Sequence, residues 1–245
     1  MDKESFMDNG IFVNRKYLLL FFLLFFSLTM SLACVSAAKE DNVNKNNIHS
    51  TKILGKNAKG YVKCIELGNH SSKVKIAYII GIHPQESKPH KAVYKQLLSK
   101  SNKLKYKYFI YNVTVTKNNN VYVGRKSGQD LARRYILPHA KKSGYNLVID
   151  IHANEWGAVG YKKKYFIFAP LKDFKSNKIA KKLVNSISEL SYYYPKVQTS
   201  PKYCTNPLVR FGTKTVIHET YKHESQSKTN IKIQKLIKVV DKIFK

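Results

Sequence analysis

Val74-Lys75-Ile76-Ala77-Tyr78-Ile79-Ile80-Gly81-Ile82-His83-Pro84-Gln85-Glu86 changes character halfway along. Its first half is short, apolar and β-branched, the composition of a buried strand. At Gly81 it breaks into a loop that carries His83, Pro84, Gln85 and Glu86. In open α/β sheets ligands bind beyond the carboxyl ends of the strands, so a strand ending in such residues is where a site is expected.

The rest of the chain repeats this grammar. Residues 61–67, 106–115, 165–169 and 214–218 read as further strands, and 146–151 as a strand of the buried type ending at His152. Helical spacing covers 90–100, with Val93, Leu97 and Leu98 on one side, and 231–244. A third helix is expected over 129–142, kinked or ended by Pro138. Asp173 caps a fourth, running to about residue 191. Asn118-Asn119-Asn120 reads as a turn. Strands alternating with helices predict an α/β fold: a central, mostly parallel mixed sheet with helices on both faces. His83 and Glu86, then His152, then Glu219 each follow a different strand, so three chemically capable clusters fall on one edge of that sheet.

The 245 residues divide into three parts. Residues 1–38 hold Arg15-Lys16 and then an uncharged apolar run from Tyr17 to Val35, with small residues at Ser36, Ala37 and Ala38. This is an export signal, either cleaved or kept as a membrane anchor, and it places the remainder outside the cell or on the outer face of the cytoplasmic membrane. Residues 39–59 read as a polar linker, and 60–245 as the folded domain. The formal charge is +29, nearly all of it from dispersed lysine. With few arginines and no nucleic-acid-binding motif, nucleic acid is not the expected partner. Two readings stay open: an anionic envelope polymer or lipid surface as neighbour, or a Lys-rich composition without functional meaning. Cys64 and Cys204 are too far apart for a zinc-finger spacing and read as two buried thiols, though an oxidising exterior would permit pairing.

His83-Pro84-Gln85-Glu86 is an H-x-x-E pair whose side chains can converge on one cation. Two histidines and one glutamate form a common catalytic zinc set that leaves a coordination position open for water. His152 is the expected third ligand. A rival pair, His152 with Glu155, has the same spacing but needs a further partner. Taken alone, a loop histidine is more often an ordinary surface residue.

The order of four short motifs goes further. Gly81-Ile82-His83-Pro84-Gln85-Glu86, Gln129-Asp130-Leu131-Ala132-Arg133, Asp150-Ile151-His152 and Ile217-His218-Glu219-Thr220 resemble, in sequence order, those of the zinc carboxypeptidase superfamily, including its succinylglutamate desuccinylase and aspartoacylase branch. The resemblance spans most of 74–219. It implies an enzyme, a zinc metallocarboxypeptidase or amidohydrolase, with one zinc ion held by His83, Glu86 and His152. It further implies Glu219 as general base, Arg125 on the scissile carbonyl and Arg133 on a substrate carboxylate. Tyr203 is the candidate for the aromatic residue that closes over substrate. The expected substrate is a small peptide or acyl-amino acid bearing a carboxylate. The position before Arg133, commonly Asn in that family, is Ala132, which favours an amidase or deacylase over strict removal of a C-terminal residue. The competing expectations are a catalytically inactive module that binds anionic envelope polymer, and an N-acyl amino acid deacylase.

Overall fold

The computed structural model describes residues 48–116, 120–158, 160–196, 198 and 200–244. The expected export segment 1–38 and residues 39–47 of the expected linker lie outside them. No helix among the described residues is long and apolar enough to cross a membrane.

Eight strands form one mixed sheet: β1 (Ile48–Asn57), β2 (Gly60–Gly68), β3 (Lys75–Ile80), β4 (Lys107–Val115), β5 (Leu147–Asn154), β6 (Phe166–Phe168), β7 (Ser191–Tyr192) and β8 (Thr215–Tyr221). Their spatial order is β1-β2-β4-β3-β5-β8-β6-β7. The centre, β4-β3-β5-β8, is parallel, and antiparallel pairings join β1, β2 and β6 to it. Six α-helices accompany them among the described residues: α1 (Ser87–Ser99), α2 (Val121–Leu131), α3 (Leu137–Lys142), α4 (Phe174–Ser186), α5 (Thr205–Arg210) and α6 (Gln226–Val240), the last after the final strand.

Apolar side chains sort onto two faces. Ile76, Tyr78, Ile149 and Ile151 pack on the side of Val93, Leu97, Leu183 and Leu236 from α1, α4 and α6. Ala77, Ile79, Tyr111 and Val148 pack on the side of Leu131, Ile136, Ala140 and Leu208 from α2, α3 and α5. The expected α/β sheet covered on both faces is therefore the observed one.

Several boundaries differ for local reasons. Residues 48–57, expected as the end of a linker, form β1. This edge strand bonds to one neighbour only and leaves most side chains exposed, so it needs no hydrophobic alternation. The helix expected from 129 begins at 121, where the Asn120 side chain accepts hydrogen bonds from the backbone of Tyr122 and Val123. Gly124 and Gly128 lower its propensity and hide it from sequence. Gly128 is there for contact: a Cβ at that position would sit 1.9 Å from the Ile82 carbonyl oxygen. It lets α2 lie directly on the loop that carries His83. Between α2 and α3 the residues Ala132–Ile136 form one π-helical turn, immediately before Pro138, whose ring cannot complete an ordinary α-helical bond upstream.

Buried His218 on β8 carries a stability cost. Its ring packs edge-on against Tyr165, centroids 5.3 Å apart, and neither ring nitrogen has a hydrogen-bond partner. Burial, with Lys232 and His152 adding, pushes its pKa from 6.5 down to about 3. The unfolded chain gains a proton below pH 6.5 and the folded chain does not until about pH 3, so stability falls as pH drops through that window. The slope from this one residue is roughly 1.4 kcal/mol per pH unit. His218→Phe is expected to lose less stability than the wild type between pH 7 and pH 5 in denaturant unfolding. Equal acid losses in the two proteins would refute this.

Candidate metal centre

Strand β5 is buried at every position, yet it contains Asp150, His152 and Asn154. Buried polar groups need partners, and alternation along β5 points Asp150 and His152 away from the face holding Ile149 and Ile151. They look toward α2 and the segment before α5. Register adds Glu219, which lies directly beside His152 on β8. From the neighbouring strand β3, Gly81 turns the chain with φ +84°, and His83 and Glu86 fold back over the same edge. Gly81 also lies so close to β4 that a Cβ would sit 2.1 Å from the Val113 carbonyl oxygen.

Glu86 is the centre of the cluster. Nδ1 of His83 donates to its Oε1 at 2.8 Å, and Nδ1 of His152 donates to its Oε2 at 2.9 Å. Arg125 from α2 donates to Oε1 at 2.9 Å, and the Ala153 amide donates to Oε2 at 3.1 Å. The two imidazole rings lie 4.5 Å apart. Burial would raise the Glu86 pKa, but His83 and His152 outweigh it and hold the carboxyl well below its usual range. Burial lowers His83. It would lower His152 too, but the carboxylates of Asp150 and Glu86 prevail and raise it well above the ordinary value.

Among the described residues, His83, Glu86 and His152 are the group placed to hold a metal ion: one donor atom from each lies within 4.8 Å of the others. Two imidazole nitrogens and a carboxylate oxygen, all buried and converging beside an open cleft, fit one first-row divalent ion. The outer groups fit as well. Asp150 Oδ2 lies 3.0 Å from Nε2 of His152. Ser200 Oγ lies 3.0 Å from Nε2 of His83, and the Gln129 amide donates to the same hydroxyl at 3.2 Å. With an ion in place of the Nδ1 protons, each ring would carry its proton on Nε2, where Asp150 Oδ2 and Ser200 Oγ are near enough to accept it. Neutral Ser200 and Gln129 give no signal in sequence.

The cleft beside the cluster has a volume of about 110 Å3. Arg125 and Glu219 both line it. Burial, supported by Glu86 and Asp150 and opposed by His152 and Arg125, pushes the Glu219 carboxyl up to about 8. Two expected site residues lie elsewhere. Leu131, Ala132 and Ile136 face the core, so the helical phase turns Arg133 outward into a separate surface hollow with Asp130 and Arg134. Tyr203 does not line the cleft either; Tyr161, from the loop after β5, does. Glu155, the rival ligand, pairs with Lys222 and His223 instead. Cys64 and Cys204 are buried free thiols.

No protein-family model matches the chain, and no curated protein is similar to it. Solved structures are. A metallo-carboxypeptidase from Pseudomonas aeruginosa, in complex with (2-guanidinoethylmercapto)succinic acid, matches 79% of this chain at 15% identity with a TM-score of 0.56. A metallo-carboxypeptidase from Burkholderia cenocepacia matches 81% at 12% identity and 0.53. The tripeptide-bound cell shape determinant Csd4 from Helicobacter pylori matches 73% at 10% identity and 0.52. The chain spans 64%, 66% and 54% of those three proteins, respectively. The fold is thus the one seen in these metallo-carboxypeptidases, as the order of the sequence motifs leads one to expect.

Replacing His83 by Ala is expected to abolish stoichiometric metal binding. Ser200→Ala, which removes only the outer partner, should weaken the metal about tenfold with the fold intact. Competition with a chromogenic chelator measures both. Unchanged affinity in Ser200→Ala would refute the role of the hydroxyl.

Proposed function

We propose that this chain is a zinc-dependent hydrolase that cleaves an amide bond in a small peptide. The observation that carries the proposal is the register of β5 against β8: it sets Glu219, a buried carboxylate with no ion-pair partner of its own, beside the His83–Glu86–His152 donor set and facing the same cleft. Zinc held by that set supplies Lewis acidity, polarising a carbonyl and lowering the pKa of water to about 7.

The chain's own residues do the rest. A divalent ion in the donor set would draw the Glu219 carboxyl down from about 8, and the ionised group then accepts a proton from the water that adds to the carbonyl carbon. It passes that proton to the leaving nitrogen as the C–N bond breaks, yielding a carboxylic acid and an amine. Arg125, whose Nη1 rests on Glu86, presents guanidinium donors to the oxygen that gains negative charge. The cleft walls, Tyr161, Phe168, Pro195 and Ile217, thin out water around both groups.

A short peptide as substrate agrees with the tripeptide bound by the Helicobacter pylori neighbour. The export segment and the lysine-rich surface support action outside the cytoplasmic membrane, on peptides of the cell envelope and beside its anionic polymer. The inactive-module reading has no observation of its own in its favour, since the donor set and Glu219 are both in place.

The zinc-loaded protein is expected to release amine from envelope-derived peptides. A chelator should stop the reaction and added zinc should restore it. Glu219→Gln should retain zinc and lose at least about a hundredfold in kcat. Wild-type turnover in Glu219→Gln, or turnover indifferent to the chelator, would defeat the proposal.

A further inference from the structure

We infer that the cleft receives its substrate without gripping a free terminal carboxylate, so that the bond it cleaves lies within a longer chain or next to an uncharged group. This rests on the zinc hydrolase reading above and names its substrate class.

The first observation is the location of the cations. Of the arginines and lysines among the described residues, Arg125 alone lines the cleft. Arg125 is bonded to Glu86 at 2.9 Å, which puts it at the reacting carbonyl rather than one residue further along a substrate. Arg133 is turned into the hollow with Asn57, Lys59, Asp130 and Arg134, where Lys59 already pairs with Asp130. Lys196 and Lys202, in the segment that borders the cleft, are exposed.

The second observation is what occupies the place of a carboxylate anchor. Away from the metal side the cleft is walled by Phe168, Pro195, Pro201 and Ile217, with Tyr161 and Gln198 as its neutral polar groups. Burial raises the Tyr161 hydroxyl further above its usual range, so it stays neutral. A carboxylate in this position gives up water and gains no opposite charge, which is unfavourable. An amide or an apolar side chain loses little there, and Gln198 and Tyr161 can hydrogen-bond an amide.

The third observation is size. At about 110 Å3 the cleft is smaller than a benzene-sized cavity of about 150 Å3. It holds one small group, and the remainder of a longer substrate lies outside it.

The test uses the zinc-loaded protein and peptide pairs of identical sequence, one member ending in a free carboxylate and the other in a carboxamide. The expected result is kcat/KM within about threefold for the two members of each pair. Mass spectrometry should show internal bonds cut in the carboxamides. Arg133→Ala is expected to leave the ratio unchanged. A preference for the free acid above about a hundredfold overturns the inference and leaves the zinc hydrolase reading intact. Failure to cleave either member overturns both.

Discussion

A single buried carboxylate organises the molecule. Glu86 receives four donors that come from three different parts of the chain: His83 on its own loop, Arg125 on α2, and the His152 ring and Ala153 amide on β5. A carboxylate this far from water is tolerable only when such partners surround it. The loop after β3, the end of β5 and the first turns of α2 are therefore fixed relative to one another. The packing that permits this is equally specific. Gly81 lets the loop pass close to β4, and Gly128 lets α2 touch the loop backbone. Two of those donor atoms, the Nδ1 atoms of His83 and His152, are also the ones that would face an ion once they give up their protons.

Much of this was legible in sequence, and for a physical reason. A central parallel strand is expected to be apolar throughout. When Val148-Ile149-Asp150-Ile151-His152 breaks that rule at alternate positions, burial of polar groups on one face is the only way to keep the strand, and burial demands partners. The same logic exposed Glu219 at the end of β8. The signal fails where no rule is broken. Ser200 and Gln129 are neutral and unremarkable in sequence, yet they complete the outer contacts of His83. Tyr161 sits in a loop with no periodicity. Arg133 has the right neighbours in the motif, but one π-helical turn and the buried side chains of Leu131, Ala132 and Ile136 decide which way it points. Strand β1 was read as linker because an exposed edge strand carries no hydrophobic pattern.

The two histidines are not equivalent. His152 has a carboxylate behind it, Asp150, and His83 has the Ser200 hydroxyl. A carboxylate behind an imidazole makes it a more basic ligand than a neutral acceptor does. One ligand is therefore electron-rich and set rigidly within the sheet. The other is held by Ser200, on a segment that also walls the cleft through Pro195, Gln198 and Pro201. The position of the His83 ring and the shape of the cleft are thereby connected through one hydroxyl.

Charge distribution explains how a chain with a formal excess of +29 can attract a cation at all. It has 15 acidic residues, and three of them, Glu86, Asp150 and Glu219, are buried together at this one edge. The lysines are dispersed over the exterior, where water and salt screen them beyond about 8 Å. Inside the cleft screening is weak, so the near carboxylates outweigh the many distant lysines. The two fields serve different ranges. The exterior is positive, a field that acts over the longer range. The interior sets the carboxylates of Glu86 and Asp150 against Arg125 and the His152 ring, so opposite charges are matched at short range. An anchor for a substrate carboxylate would add a cation to that interior, within reach of the ion's site, and weaken it by like-charge repulsion. Turning Arg133 outward spares the centre that repulsion, which ties the metal affinity and the neutral cleft wall to the same electrostatic constraint.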